Sequence, residues 1–251
     1  MRNLLLFLIF SGFFIDAASS TGNTETEFIQ FAGSGGYPPF NYINEENEIV
    51  GFDVDVAGEL AKRLGMKLDY VTTPWEGIIR ALLSGRFRGI LGSMAVTGER
   101  KEILDFSIPY YYSGAQIVVR KGSAVQMETI GPDTVVGVCA GTTFINDAEA
   151  LGAQVRLYED DNQTLKELMN NRIDAVITDR IVAMNAAQKN GEGAFLVLEG
   201  GLLRTENIAV AFRKKDPILD DINRFLMEMH EDGTLSALSK KWFDGIDISN
   251  P

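Results

Sequence analysis

Three features of the chain predict an α/β fold. Short apolar runs alternate with amphipathic helical segments, the pattern of βα units and mainly parallel sheets. The residues that carry chemistry fall where a run ends and a helix begins, which is where open α/β sheets hold ligands. The alternation occurs twice, with no long linker, low-complexity tract or fixed-period repeat between the halves. Two α/β units must therefore be joined closely, by short crossing strands.

Residues 28–32 predict the first strand. Val56, Leu60 and Leu64, with Ala57 and Ala61 beside them, stripe a helix over 54–64 that Gly65 stops. A strand over 67–71, a short helix over 77–83, a buried strand over 89–92 and a helix over 98–104, with Arg100 in its first turn, complete the first unit. The second unit reads as strand 135–138, a helix from Thr142, strand 155–158, helix 163–170, strand 175–178 and helix 180–190. A strand over 208–212 follows. Asp216 and Pro217 read as N-cap and first helical position of a helix with Ile218, Ile222, Phe225 and Met229 on one face. It ends at residues 231–234, and Leu235, Leu238 and Trp242 stripe the last helix.

Composition narrows the function. The 251 residues are 45% hydrophobic, enough for one large domain or two modest ones without staples. Thirty-five acidic against 23 basic residues give a net charge of −12, which repels phosphate backbones and anionic lipid and argues against a nucleic-acid partner. Cys139 and His230 are the only residues of their types, so no internal disulfide can form and a zinc or iron–sulfur site is unsupported. Met1-Arg2-Asn3, an apolar run over 4–14 and the small residues Ala17-Ala18-Ser19-Ser20 read as a secretory signal peptide over 1–20. The run is shorter than the roughly 20 residues of a membrane span, and no cysteine follows it to carry a lipid. The expectation is a freely soluble periplasmic protein.

Short signals recur in one order: Tyr37-Pro38-Pro39-Phe40, Gly51-Phe52-Asp53-Val54-Asp55, Trp75, Gly92-Ser93-Met94, Thr97-Gly98-Glu99-Arg100, Gly141-Thr142-Thr143 and Thr178-Asp179. On these the chain resembles the extracellular solute-binding proteins of polar amino acid ABC transporters, over about residues 28–243. The resemblance implies the two-lobed type II periplasmic binding fold, each lobe a mainly parallel sheet flanked by helices. Lobe 1 would be 26–111 plus 206–251, and lobe 2 115–205, with crossings near 112–114 and 205–207 and a hinge that closes the cleft on the ligand.

Site roles follow from the same resemblance. Arg100 would hold the ligand α-carboxylate as a bidentate pair, with Thr97 and the backbone of Ser93, Met94 and Ala95 adding donors. Thr142 and Thr143 would reach the same carboxylate from lobe 2, although capping also explains them. Asp179 would accept the α-ammonium, and it also suits the N-cap before Arg180. Tyr37 and Trp75 would flank the ligand side chain, where Cys139 is either a contact or a small buried hydrophobe. Phe40, Phe52, Phe106 and Phe243 read as core, and Asp53 and Asp55 as helix-start acids without ligand contact. Family members for basic or amide side chains place an aspartate where this chain has Ser34. The expected ligand is thus a zwitterion with a neutral or polar side chain, and lysine or arginine is disfavoured.

The implied function is capture of an amino acid by a monomer and its delivery to an ABC permease, without cofactor, metal or catalysis. Two alternatives compete. Cyclohexadienyl dehydratases resemble these proteins but need an acidic proton donor three residues after Asp179, where this chain has Val182. A sensory module is usually followed by a membrane span and an effector, whereas this chain ends eight residues after Phe243.

Overall fold

The computed structural model describes residues 27–189, 195–197 and 201–250. The signal segment over 1–20 and the last residue of the helix expected over 180–190 lie outside them.

The first half of the chain forms β1 (Phe28–Gly33), β2 (Gly36–Tyr37), β3 (Asn41–Ile43), β4 (Ile49–Val50), α1 (Phe52–Arg63), β5 (Lys67–Thr72), α2 (Ile78–Leu83), β6 (Gly89–Ile90), α3 (Gly98–Ile103) and the long β7 (Leu104–Arg120). There follow β8 (Val135–Cys139), α4 (Phe144–Ala150), β9 (Gln154–Tyr158), α5 (Asp161–Met169), β10 (Ala175–Asp179), α6 (Arg180–Lys189), β11 (Phe195–Val197), β12 (Arg204–Arg213), α7 (Ile218–Glu231) and α8 (Thr234–Trp242).

The main sheet runs β5-β1-β6-β12-β7-β10-β8-β9. Its two ends are parallel: β1 pairs with β5 and β6, and β8 with β9 and β10. Between them β7 and β12 run antiparallel to each other, with β12 against β6 and β10 against β7. The architecture is therefore two α/β units joined by two crossing strands. Tyr112, Ser113 and Gly114 pair with Asn207, Glu206 and Thr205 at the centre of that crossing. The backbones approach so closely there that a Cβ on Gly114 would lie 2.2 Å from the Arg204 carbonyl oxygen, so any larger residue must force the strands apart.

Each unit has its own core. In the first, Phe40, Phe52, Tyr110, Tyr111 and Phe243 form an aromatic cluster with ring centroids as close as 5.0 Å. In the second, Ile117, Val136, Val138, Phe144 and Ile177 pack together. The α1 stripe buries Val56, Ala57, Leu60 and Ala61 as its spacing predicts, but the helix starts two residues earlier than expected, at Phe52, and buries Phe52 and Asp53 as well.

Two expectations need correction. The strand expected over 208–212 begins at Arg204, and its partner β7 spans 17 residues. Pro109, Ser113 and Gly114 break the apolar pattern of that stretch and hide the strand. Pro109 is tolerated because it pairs with Ala209, where the ladder shifts register on either side. The small sheet β2-β3-β4 offers strands of three residues or fewer, too short to leave a periodic signal. Arg88, for which the sequence offers no role, donates to Asp216 at 2.6 Å. Asp216 in turn accepts from Ile218 N–H at the start of α7. The arginine thus ties the β6 loop to a helix start.

The two units touch over the space between them. Asn162 Nδ2 donates to Gly36 O at 3.2 Å, and Arg100 Nη2 to Gly141 O at 3.2 Å. Gly141 has φ +78°, and a Cβ there would sit 3.1 Å from Glu76 Cα across the gap, so this approach depends on glycine. Among the described residues no helix is long and apolar enough to cross a membrane.

Candidate functional site

A cleft with about 530 Å³ of space between atoms, open solvent at its mouth included, lies between the units. It is lined from the first unit by Ser34, Tyr37, Trp75, Ser93, Ala95, Arg100 and Tyr111, and from the second by Cys139, Thr142, Thr143, Asp161 and Asp179. Ten of the twelve site residues expected from sequence are therefore brought together. Two are not. The Met94 side chain is fully buried in the β1–β6 core, and its carbonyl is taken by Ala209 N–H. Thr97 caps α3, its Oγ1 accepting from Arg100 N–H at 3.1 Å, and serves the site by setting the helix start that aims Arg100.

Arg100 donates through Nη1 to Ala95 O at 2.9 Å and through Nη2 to Gly141 O. Burial lowers its pKa from the ordinary guanidinium value, while Glu206 and Glu99 hold it up and Arg204 works with burial. At the facing end of β10, Asp179 Oδ1 accepts from Ile181 N–H at 2.7 Å. Both roles weighed for this residue are compatible with that geometry. Burial raises the Asp179 carboxyl to about 7, against the Ser113 hydroxyl and the Ile181 N–H, with Glu206 adding to the rise and Arg180 opposing it.

The threonine hydroxyls are already engaged. Thr142 Oγ1 donates to Cys139 O at 2.7 Å, and Thr143 Oγ1 donates to Glu206 Oε1 at 2.7 Å. Both hydroxyl protons are thus engaged within the protein, and the expected offer of backbone N–H groups at this helix start does not depend on them. Cys139 is buried and its thiol faces the Glu159 and Ala140 carbonyls; burial and nearby carboxylates push its pKa up, so it behaves as a small lining hydrophobe.

Asp53 does more than its expected place at a helix start. Fully buried, it accepts from Asn41 Nδ2 at 2.7 Å, Ser93 Oγ at 2.9 Å and Tyr110 Oη at 2.7 Å. Asn41 Oδ1 in turn accepts from Gly35 N–H at 3.0 Å, and Tyr110 Oη accepts from Ser93 N–H at 3.0 Å. One carboxylate thus fixes both first-unit loops that face the cleft, including Ser93 at φ +63°.

Sequence reasoning missed Asp161, Glu206 and Tyr111. Asp161 lies in the first turn of α5, two residues before the expected helix start. Glu206 lies among the crossing residues themselves, held by Arg204 Nη1 at 2.6 Å. Tyr111, to which the sequence gives no role, is fully buried and lines the cleft.

The buried acids make stability pH-dependent. Burial raises Asp53 and Asp161 to about 6 and Asp179 to about 7, from 3.8. A raised folded-state pKa means the fold holds the proton more tightly than the unfolded chain, so this contribution is full below about pH 4 and is lost as pH rises through 6 and 7. Asp105, Asp232 and Asp247 are shifted downward, stay ionised above pH 5 and add nothing to the slope there. The ligand-free protein is expected to melt about 5 °C or more higher at pH 5.5 than at pH 7.5, read by calorimetry. A flat or opposite trend contradicts the burial of these groups in their charged form.

Residues 29–245 match the family of bacterial extracellular solute-binding proteins, family 3. The chain is a family 3 solute-binding protein. This solute-binding protein is 35% identical over 220 residues to the L-cystine-binding protein TcyJ of Escherichia coli (strain K12), covering 86% of this chain and 82% of that one. Among solved structures, a variant of ArgBP from T. maritima superposes with a TM-score of 0.81 at 35% identity, covering 86% of this chain and 95% of that one. The ancestral amino acid-binding protein AncCDT-1, described as a precursor of cyclohexadienyl dehydratase, gives a TM-score of 0.80 at 35% identity, with the same coverage. The solute-binding protein has the type II periplasmic binding fold.

Proposed function

We propose that this protein captures an amino acid in the periplasm and delivers it to an ABC transporter permease. The observation that carries the reading is the placement of a guanidinium, Arg100, and a buried carboxylate, Asp179, on opposite units of one cleft. An amino acid presents one carboxylate and one ammonium, so a single molecule satisfies both walls and draws them together. Lobe 1 is then 26–111 plus 206–251 and lobe 2 is 115–205, hinged at the paired crossing residues 112–114 and 205–207. The contacts of Asn162 with Gly36 and Arg100 with Gly141 are those of the closed form. Export through cleavage of residues 1–20 and a monomeric state complete the reading.

Catalysis is set aside on one residue. Val182, where a dehydratase needs its acid, is 2% exposed within the apolar core and has no proton to give. The expected neutral or polar ligand side chain rests on Ser34, whose hydroxyl donates to Asn41 Oδ1 at 3.3 Å and carries no charge, and on the small lining residue Cys139.

A thermal-shift screen of the purified protein against the twenty common L-amino acids and L-cystine tests the reading. At least one is expected to raise the melting temperature, since a ligand at about 100 times its Kd stabilises by roughly 2.7 kcal/mol. No shift by any of them, with no heat of binding in calorimetry, rejects amino-acid capture. Formation of phenylpyruvate from prephenate at a catalytic rate rejects the non-catalytic part.

A further inference from the structure

The cleft holds more negative charge than a zwitterion uses. Glu159, Asp160, Asp161, Asp179 and Glu206 line it, against Arg100 as the one basic residue of that lining. A zwitterion brings no net charge, so its capture leaves the imbalance in place, and uncompensated carboxylates in a closed cavity are costly.

The acids are not equivalent. Glu159 is exposed, and Asp160 caps α5 by accepting from Gln163 N–H at 2.8 Å. Glu206 is paired with Arg204, and Asp179 faces the expected α-ammonium. Asp161 differs from all four. It is 4% exposed, its carboxylate accepts from Thr178 Oγ1 at 2.5 Å, and among the described residues no cation pairs with it. Burial lifts its carboxyl to about 6, with Thr178 opposing the rise and Asp160 adding to it.

Asp161 is not among the charges that act most strongly on Arg100. The charges felt by Arg100 are those of Glu206, Glu99 and Arg204, whereas Cys139 feels Asp161, Asp160, Glu159 and Glu76. Tyr37 stands between, near Asp179, Asp161 and Glu206 together. A second, independent sign of an absent polar partner is Tyr111, a lining residue whose buried Oη has no hydrogen bond among the described residues and feels the charge of Asp179.

We infer that the side chain of the bound amino acid carries a net positive charge and that Asp161 is its counter-ion. The inference rests on the amino-acid reading of the cleft. It reverses the expectation drawn from Ser34, because the counter-charge missing from the first unit is supplied by α5 of the second. L-cystine also brings a second ammonium, but its distal half is itself a zwitterion with no net charge, and its second carboxylate would meet the same acids, so it offsets the imbalance less than a side chain of net positive charge.

The competing role for Asp161 is structural, an acid favoured by the first turn of α5 and held by Thr178. That role treats all ligands alike, so paired ligands separate the two. L-lysine, L-ornithine, L-arginine, L-norleucine, L-glutamine and L-cystine are titrated into the full protein and into Asp161→Asn by calorimetry. A cationic ligand is expected to bind wild type at least about tenfold more tightly than L-norleucine, whose chain differs from that of lysine by the terminal ammonium. Asp161→Asn, which keeps an acceptor for Thr178, is expected to erase that preference while changing L-norleucine binding less than about twofold. A neutral ligand or L-cystine as the tightest binder, or an equal effect of the variant on all ligands, overturns the inference and leaves amino-acid capture standing. Should the variant fail to fold by circular dichroism, the wild-type ranking decides alone. Binding of none of the six, together with a silent thermal screen, overturns the amino-acid reading itself.

Discussion

Arg100→Ala is expected to remove amino-acid binding, with affinity falling by a factor of several hundred or more. Among the described residues the guanidinium is the only basic group in a lining that holds five acids, so without it the ligand carboxylate faces an acidic lining with no counter-charge. Truncating one member of a desolvated charge pair costs about 3–5 kcal/mol, much of it the penalty for the charge left behind. Closure suffers as well, because the contact from Arg100 Nη2 to Gly141 O is lost with the side chain. The fold is expected to persist: the α3 cap uses the backbone N–H of residue 100, which alanine keeps, and the side chain is only half-buried. Calorimetry with the best ligand from the thermal screen, alongside circular dichroism, reads both parts. Unchanged affinity rejects the carboxylate role. Arg100→Lys is the control for geometry, since it retains charge but not the fork, and its affinity is expected to fall between the two.

Much of this site was legible in the sequence because the fold puts its chemistry at element ends. Arg100 follows a cap residue, Asp179 ends a strand and Trp75 begins a turn, and each end is marked by a glycine, proline or small polar residue that survives in the order of the motifs. Asp161 and Glu206 were not legible, each for its own reason. Asp161 follows Asp160, and two adjacent acids before a helix read as cap and dipole partner; only the packing of α5 against β10 buries one of them against Thr178. Glu206 was hidden because the long antiparallel pair of β7 and β12 was itself hidden, its apolar pattern broken by Pro109 and by the polar residues of the crossing. Asp53 shows the limit most directly. Its place in the first turn of α1 has an adequate local explanation, and its role as the acceptor joining Asn41, Ser93 and Tyr110 depends on partners 12, 40 and 57 residues away. Local pattern finds what local forces place, and these three groups are placed by tertiary contacts.

Asp179→Asn is expected to weaken the best ligand by two orders of magnitude or more at pH 7.5, the cost of a buried charge pair losing one partner, about 3 kcal/mol or more. The substitution keeps the size of the side chain and an acceptor for Ile181 N–H, so the start of α6 stays in place and the loss reports on charge. Its second signature is the pH profile. In the empty cleft burial raises Asp179 to about 7, with Ser113 on β7 and the Ile181 N–H on α6 opposing, Glu206 on β12 reinforcing and Arg180 opposing. An ammonium bound against it favours the ionised form and lowers that pKa. Binding below pH 7 therefore releases a proton, and wild-type affinity is expected to rise by up to about tenfold per pH unit between 5.5 and 7, then level off. Asp161, raised to about 6, contributes to the lower part of that slope when the ligand side chain is cationic, and this part is expected to remain in Asp179→Asn. The part above about pH 6 is expected to vanish in the variant. Calorimetry of both proteins at pH 5.5, 6.5 and 7.5 reads the two segments separately. Wild-type affinity that does not change with pH, or an asparagine variant that binds amino acids and their α-keto analogues as wild type does, means that the ammonium has another partner. Glu206 is then the next residue to test, because it is the other buried carboxylate that Asp179 feels and it lies on the Arg100 side of the cleft.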